Sequence, residues 1–436
     1  MADPQDVYRS KLKTAEEAAA LIPDGALIAQ GNAIGEPQAM LEAIAQRARG
    51  GGFGDGITMM ALLPMAGSAR TILAPEVRGI IKWQSLFASG ADRDLLKSGE
   101  ASFVPAFFHQ IPRLYSEFMD IDVAIVVVSP VDKHGYMSLG VSIDIGVAAI
   151  AKAKYVVVEV NSHMPRVHGT GWVHVSEIDA IVEHNTPLAE LPVPKDREED
   201  KAMSELISAM IPNGACIQLG IGGIPSAVAK SLLGHKDLGI HTEMFVDPMV
   251  ELIESGVANG SKKTFHPGKA IYTFAAGSQR MYDFVDDNPH IEAHPVSYVN
   301  YPPNIAKNDN LVSVNSTIEI DLTGQCCSES MGPVQWSGTG GQHDYARGAF
   351  DSKGGKSIIA FYSTAKSGQV SRVVPLLTPG AIVTTPRTEV HWLVSEYGAE
   401  NLKGKTVSQR ARAIIGLAHP KFRDELIAAA KELNYF

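Results

Sequence analysis

A glycine-rich segment near the middle of the chain has the composition of a turn that can bind an anion or a carbonyl oxygen. In residues 218–228 (QLGIGGIPSAV) an apolar run ends at Gly220-x-Gly222 and a helical pattern follows. A strand, a glycine turn and a helix present backbone N–H groups and the positive end of the helix to a negatively charged group. The segment therefore indicates either anion or carbonyl recognition or a tight strand-to-helix turn, and its spacing leaves both interpretations open.

A dinucleotide-binding fold is an alternative of a different class. Pro225 stands where the third glycine of the dinucleotide fingerprint would be, and a second glycine-rich segment, residues 337–349 (SGTGGQHDYARGA), has no place in that fold. One feature supports that alternative: Glu243 stands 243 − 220 = 23 positions after Gly220, close to the spacing expected for the acidic residue that binds the ribose. An NAD(P)-dependent oxidoreductase therefore stays as a distant alternative.

Carboxylates are the remaining candidates for covalent chemistry. Glu243 follows a short apolar run in residues 238–248 (LGIHTEMFVDP), where a glutamate is usually solvated or caps a helix but can also act as a nucleophile. Composition does not select it over Glu251, Glu319 or Glu396. The sequence has no G-x-S-x-G elbow and no H-E-x-x-H metal motif, and no G-K-[ST] follows the first glycine turn.

The chain repeats itself, which predicts how these segments are positioned. The matching segments are 19–31 with 208–220, 128–135 with 316–324, and, at a slightly larger shift, 144–160 with 344–361. Three matches in the same order indicate an internal duplication. Strand-like and helical runs alternate in each copy, which predicts parallel α/β sheets. We expect two similar open α/β domains, residues 1–188 and 189–436, joined by the polar, proline-bearing residues 184–200.

Composition and charge limit the possible classes of function. The 436 residues are 45% hydrophobic and 20% charged, as in globular proteins. A net charge of −10 argues against nucleic acid or an anionic membrane as the main partner. The first residues lack a secretory pattern, no apolar run has the length that crosses a bilayer, and the three cysteines are sparse. We therefore expect a cytoplasmic protein that acts on small molecules.

Four motifs taken together resemble the family I coenzyme A transferases, in particular the branch of 4-hydroxybutyrate, butyrate and acetate CoA-transferases and acetyl-CoA hydrolase/transferases. The motifs are GIGGIPSAV, GIHTEMFVDP, SGTGGQHDYARGA and TPRTEVHWLVSEYG, in this order along the chain. The resemblance covers almost the whole chain and implies two similar α/β domains with the active site in the cleft between them. It also implies a homodimer, no metal and no tightly bound cofactor, with a coenzyme A thioester as substrate.

By this resemblance Glu243 is the nucleophile. Its carboxylate attacks an acyl-CoA, and CoA is then held as a γ-glutamyl thioester until a second carboxylic acid accepts it, in ping-pong order. Acetyl-CoA or butyryl-CoA is the implied donor, and a short-chain carboxylate such as 4-hydroxybutyrate is the implied acceptor. An acetyl-CoA hydrolase that uses the same glutamate and a non-catalytic CoA-binding regulator remain alternatives.

The resemblance also implies roles for other residues. Asn315, Gly341 and Glu396 are expected in the catalytic site, Asn315 as an active-site amide and Glu396 as a second carboxylate near the nucleophile. The implied CoA-binding residues are Gly220, Ile221, Gly222, Gly223, Ile224, Ile318, Gly340, Gly341 and Lys366. Residues 31–38 (GNAIGEPQ), the first copy's version of the glycine turn, are expected to line the acceptor side.

Overall fold

The computed structural model describes residues 3–192, 197–220 and 222–436. Their contacts divide the chain into two compact units. Unit 1 takes in the described residues of Met1–Pro192, Phe245–Asp247 and Ile271–Val299. Unit 2 takes in those of Val193–Met244, Pro248–Ala270 and Asn300–Phe436.

Helices and strands alternate along the chain. The helices are α1 Pro4–Ser10, α2 Ala15–Ala20, α3 Gln38–Arg49, α4 Ala66–Arg70, α5 Arg93–Ser98, α6 Ile111–Glu117, α7 Gly146–Lys152, α8 Glu198–Met210, α9 Gly223–Ser231, α10 Asp247–Glu254, α11 Gln279–Val285, α12 Val296–Val299, α13 Pro302–Ile305, α14 Gln342–Asp351, α15 Val407–Leu417 and α16 Pro420–Glu432. In the described part of the chain, none of them has the length and hydropathy of a membrane-spanning helix.

Unit 1 is built on a seven-stranded sheet of described residues. Its strands are β1 Leu27–Gln30, β2 Ile57–Leu62, β3 Ile81–Phe87, β4 Ala101–Phe103, β5 Val123–Val128, β6 Tyr155–Val160 and β7 Ala180–Glu183. The order is β7-β6-β5-β1-β2-β3-β4, and every neighbouring pair is parallel. All residues of the apolar β5 (VAIVVV) are buried, as expected when helices cover both faces of a parallel sheet.

Unit 2 is built on a six-stranded sheet of described residues. Its strands are β8 Cys216–Leu219, β9 Gly239–Ile240, β10 Leu311–Ser316, β11 Lys356–Ala360, β12 Trp392–Ser395 and β13 Gly398–Asn401. The order is β9-β8-β10-β11-β12-β13, and only the hairpin β12-β13 is antiparallel. Both sheets confirm the predicted parallel α/β class.

Short strands form the remaining small sheets and hairpins. Their bounds are Tyr136–Ser138, His168–Gly169, Trp172–His174, Met244–Phe245, Ala270–Tyr272, Phe274–Ala275, Ile291–Ala293, Glu319–Asp321, Cys326–Cys327, Ser330–Met331, Val334–Gln335, Thr364–Ala365, Val370–Ser371 and Val373–Val374. β10 ends at Ser316, and Thr317 and Ile318 leave the main sheet before the short strand Glu319–Asp321.

The two units have equivalent strand orders, in agreement with the predicted duplication. The order β7-β6-β5-β1-β2 in unit 1 corresponds to β12-β11-β10-β8-β9 in unit 2. The turns before β1 and β8 are also alike. Gly25 and Gly214 adopt φ of 73° and 79°, and the following N–H groups donate to the carbonyls of Pro23 and Pro212 at 3.3 and 3.1 Å. Only glycine adopts this left-handed conformation without strain, which explains why both copies have it there.

The boundary between the two compact units differs from the predicted domain boundary after residue 188. Residues 245–247 and 271–299 belong to unit 1 although they lie in the second half of the chain. The physical reason is local pairing: Glu292 and Ala293 pair in parallel with His168 and Gly169. In the predicted linker, residues 193–196 lie outside the described residues, and residues 198–200 are the first turn of α8.

Buried carboxylates occupy the helix starts at the carboxyl-end edge of the unit 1 sheet. Glu159, at the end of β6, accepts the N–H groups of Ala39 and Met40 at 2.9 and 3.1 Å and so caps α3. The strand register places Ala360 of β11 at the equivalent position of unit 2. Gly222, which precedes α9, has no side-chain cap among the described residues. The helix start that contains the predicted CoA segment therefore has no cap from a strand carboxylate, although the buried carboxylate of Asp200 lies beside it, 3.3 Å from where a Cβ atom on Gly223 would stand.

The Glu159 cap makes the stability of unit 1 depend on pH. Burial raises the pKa of Glu159 to about 7, although the N–H groups of α3 oppose this shift. Between its ordinary pKa near 4.5 and about 7, the folded state keeps a proton that the unfolded state releases, so stability falls as pH rises through this interval.

We therefore predict that Glu159→Gln lessens the fall in thermal melting temperature between pH 5 and pH 8. The proton at issue contributes at most about 1.4 kcal/mol per pH unit. Differential scanning fluorimetry at a series of pH values measures the effect, with the exposed Glu42→Gln on α3 as control. Parallel pH profiles for the wild type and the Glu159 variant would contradict the prediction.

Candidate active site

The carboxyl ends of the parallel strands place most predicted site residues at one edge of the unit 2 sheet. Gly220 directly follows β8, Glu243 follows β9, Asn315 is near the end of β10 and Glu396 directly follows β12. In open α/β sheets, ligands bind at this edge because loops and helix starts meet there. Topology thus brings together residues that are far apart in the sequence.

Glu243 is held by an amide side chain. Asn300 Nδ2 donates a hydrogen bond of 2.5 Å to Oε2 of Glu243, and Asn300 is fully buried. The Thr242 hydroxyl donates to the carbonyl of Met244 at 3.0 Å, which fixes the turn that carries the glutamate. The carboxylate therefore has a defined orientation, set by a neutral donor.

The second glycine turn approaches the same carboxylate. A Cβ atom placed on Gly341 would overlap with Oε2 of Glu243 and with Nδ2 of Asn300, so this position requires glycine. Gly340 adopts a φ of 54°, and Gly341 directly precedes α14. The start of a helix, with its N–H groups and positive dipole, therefore lies against the carboxylate of Glu243.

Tyr345 lies one helical turn after Gly341 in a dehydrated environment. It packs with Ile305 and Leu311, is fully buried, and its hydroxyl has no hydrogen-bond partner among the described residues. Burial raises the pKa of Tyr345 well above its ordinary value, and the negative charge of Glu243 acts in the same direction. The phenol is therefore neutral at physiological pH and lies within electrostatic reach of Glu243.

Part of the backbone of the first glycine turn is hydrogen-bonded to a neighbouring strand of the sheet. The N–H of Gly220 donates to the carbonyl of Val314 at 2.9 Å, so it is engaged by β10. Ile221 lies outside the described residues. Gly222 adopts a φ of 116°, which only glycine tolerates, and α9 begins directly after it. The first two residues of α9 are Gly223 and Ile224. Their contact with CoA stays a prediction.

Asn315 and Glu396 have other hydrogen-bond partners in the described structure. Asn315 exchanges two amide hydrogen bonds with Gln218, at 3.0 and 3.3 Å. Glu396 accepts hydrogen bonds from the N–H and the hydroxyl of Ser363, at 3.0 and 2.5 Å. These hydrogen bonds hold neighbouring segments together at the edge of the sheet. The catalytic roles of both residues stay predictions.

The two outlying predicted CoA contacts lie after β10 and β11. Ile318 is half-buried and its N–H donates to the carbonyl of Cys327 at 3.0 Å. Lys366 is exposed and has a φ of 49°, in the turn that joins the short strands Thr364–Ala365 and Val370–Ser371. An exposed cation on a hairpin can reach a phosphate group, but the contact itself stays a prediction.

Asn300 is the contact of Glu243 that the sequence analysis missed. It stands between an apolar run and a tyrosine followed by two prolines, in SYVNYPPNIA, where no spacing rule singles it out. Its link to Glu243 spans 57 positions and depends on the fold. An asparagine two residues before a proline pair is the only signal in the sequence, and this composition is typical of turns in general.

Comparison with known proteins identifies the family of the chain. The model of the acetyl-CoA hydrolase/transferase N-terminal domain matches residues 2–192, and that of the C-terminal domain matches residues 277–430. The chain is 46% identical over 427 residues to succinyl-CoA:cyclohexane-1-carboxylate CoA transferase of Geobacter metallireducens, covering 98% of this chain and 96% of that protein. It is also 46% identical over 430 residues to 4-hydroxybutyrate coenzyme A transferase of Clostridium kluyveri, covering 98% and 99%.

A solved structure extends the likeness to three dimensions. The crystal structure of RipA from Yersinia pestis has a TM-score of 0.96 and 44% sequence identity, with 100% of both chains covered. The predicted fold and the predicted CoA-transferase class are thereby confirmed. The chain belongs to the acetyl-CoA hydrolase/transferase family.

Proposed function

We propose that the protein transfers CoA from an acyl-CoA to a short-chain carboxylate, with Glu243 as the covalent nucleophile. The observation that carries this proposal is the position of Glu243. Its carboxylate lies at the carboxyl-end edge of the sheet, oriented by Asn300 and in contact with the turn before α14. A carboxylate in such contact with a helix start has the geometry for covalent capture of an acyl group next to backbone donors.

The reaction then proceeds through two carbonyl centres. A Glu243 oxygen forms a bond to the acyl carbonyl carbon, the carbon–sulfur bond breaks, and CoA leaves as a thiolate while an acyl-glutamyl anhydride remains on the enzyme. The thiolate attacks the glutamyl carbonyl, and the acyl group leaves as a free carboxylate. An incoming carboxylate reverses these steps and departs as its own CoA thioester. Glutamate is ordinarily ionised at neutral pH, so the nucleophile needs no general base.

The environment of Glu243 suits the unstable anhydride. Each attack places negative charge on a carbonyl oxygen, and backbone N–H groups at a helix start stabilise such charge without reorganising. Tyr345, on the same helix, is fully buried among apolar side chains, and a site that excludes water protects the anhydride from hydrolysis. These features favour transfer over hydrolysis as the main activity.

The substrates and the assembly are proposed from the sequence and the relatives. Acetyl-CoA or butyryl-CoA as donor and 4-hydroxybutyrate or a similar short acid as acceptor fit the names of the similar enzymes. A cytoplasmic location, a homodimer, and the absence of a metal and of a tightly bound cofactor remain predictions from the sequence.

The proposal predicts that Glu243→Gln lowers CoA exchange by about a thousandfold or more, because the amide is not a nucleophile. The measurement is the transfer of CoA from butyryl-CoA to labelled acetate. Glu251→Gln, an exposed glutamate on α10, serves as the matched control and should exchange at the wild-type rate. Exchange by the Glu243 variant at the rate of the control would disprove the assignment.

A second prediction separates the transferase from the hydrolase. Consumption of butyryl-CoA should rise severalfold when acetate is added, since the γ-glutamyl thioester needs a carboxylate acceptor to turn over. The release of free thiol and the formation of acetyl-CoA are followed together in the same sample. A rate that is the same with and without acetate, with all CoA released as thiol, would favour the hydrolase.

A third prediction concerns the close approach of Gly341. Gly341→Ala places a methyl group against the Glu243 carboxylate and the Asn300 amide and should lower kcat by about a hundredfold, the usual effect of a misplaced reacting group. Gly416→Ala on α15 is the control, since its added methyl group meets no atom within 4 Å. Equal activity of the two variants, at equal thermal stability, would contradict the described geometry.

A further inference from the structure

Two arginines of unit 2 lie on either side of the chain segment that follows β11. The guanidinium carbon of Arg197 is 4.6 Å from the centre of the Tyr362 ring. Arg372 donates to the carbonyls of Ile318 and Thr364, at 3.0 and 3.4 Å. Burial lowers the pKa of Arg372, and the positive charge of Arg197 acts in the same direction, so the two guanidinium groups are within electrostatic reach of each other.

Among the described residues, neither arginine forms an ion pair with a carboxylate. Within residues 3–192, 197–220 and 222–436, no Asp or Glu oxygen lies within ion-pair distance of either guanidinium group. The nearby Asp200 is buried and engaged by other donors: it accepts the Tyr362 hydroxyl at 2.7 Å and the backbone N–H of Arg197 at 2.8 Å. Two neighbouring cations without an acidic partner favour an anionic ligand.

The arginine pair contacts two of the segments predicted to bind CoA. A Cβ atom placed on Gly223 would lie 3.0 Å from the Tyr362 hydroxyl, so the tyrosine beneath Arg197 lies beside the first glycine turn. Arg372 is bonded to the carbonyl of Ile318, and the hairpin that carries Lys366 ends one residue before Arg372. These contacts arise from the fold and are independent of the motifs that single out Gly223, Ile318 and Lys366.

We propose that Arg197 and Arg372 bind a phosphate group of the CoA substrate, an inference that rests on the proposed function. Guanidinium groups suit phosphate because their planar donors match two oxygens at once. Arg372 is fixed by its bonds to backbone carbonyls, whereas Arg197 is exposed and free to close on the ligand from the start of α8. The nucleotide end of CoA then lies beside α9, and the thioester end extends along the sheet edge toward Glu243.

Arg197→Gln tests the proposal, because the exposed side chain can be changed without affecting the core. We compare kcat/KM for acetyl-CoA, for acetyl-dephospho-CoA and for acetyl-pantetheine, which has no phosphate. The variant should lose about tenfold in kcat/KM for acetyl-CoA and stay within about twofold of the wild type for acetyl-pantetheine. Arg412→Gln, whose guanidinium group lies over the Phe436 ring, is the matched control and should change neither value.

Each outcome has a defined meaning. A loss with acetyl-CoA that disappears with acetyl-dephospho-CoA supports the proposal for the 3′-phosphate, and a loss with both supports it for the diphosphate. No loss, or an equal loss with acetyl-pantetheine, overturns it. Failure of the proposed function is distinguished by the wild type: if it transfers CoA through a modified Glu243 and Arg197→Gln is unchanged, only the phosphate site is wrong.

Discussion

The hydrogen bond from Asn300 to Glu243, in a space where only glycine fits at position 341, is the constraint on which the rest of the site depends. A free glutamate side chain samples many rotamers, and a nucleophile gains most of its reactivity from being held in one of them. The amide of Asn300 is a neutral donor, so this hydrogen bond itself adds no positive charge to the nucleophile. The start of α14 then places backbone donors beside the carboxylate. The Asn300 hydrogen bond thus orients the nucleophile, and the N–H groups of α14 can stabilise the negative charge that develops on the carbonyl oxygen.

The duplicated fold shows how the two units differ at an equivalent strand end. Both units have parallel strands whose carboxyl ends meet helix starts, and this arrangement attracts negative charge. In unit 1, the side-chain carboxylate of Glu159 accepts hydrogen bonds from backbone N–H groups at the start of α3. In unit 2 the equivalent strand position is Ala360, and the start of α9 is preceded by Gly222. The two copies therefore differ at this strand position: unit 1 has a carboxylate that caps the helix, and unit 2 has an apolar residue there.

The sequence predicted the elements that depend on local pattern. The alternation of strand-like and helical runs predicted the parallel α/β class of both sheets, and the repeated segments predicted two units with equivalent strand orders. Glu243 and Gly341 could be named as site residues only through the four motifs, since spacing alone did not select Glu243 over other glutamates. Asn300, Tyr345 and Arg197 could not be found, because each acts through a contact made by the folded chain. The contacts of Asn315 with Gln218 likewise follow from strand pairing, which a single sequence does not reveal.

Mass spectrometry of the covalent intermediate tests the central claim most directly. The protein is incubated with acyl-CoA in the absence of an acceptor, treated with borohydride and digested, and the modified peptide is mapped. A reduced side chain at position 243, dependent on acyl-CoA and absent from Glu243→Gln, is the predicted result. A modification on any other residue, or CoA transfer by an enzyme that acquires no modification, would contradict the account.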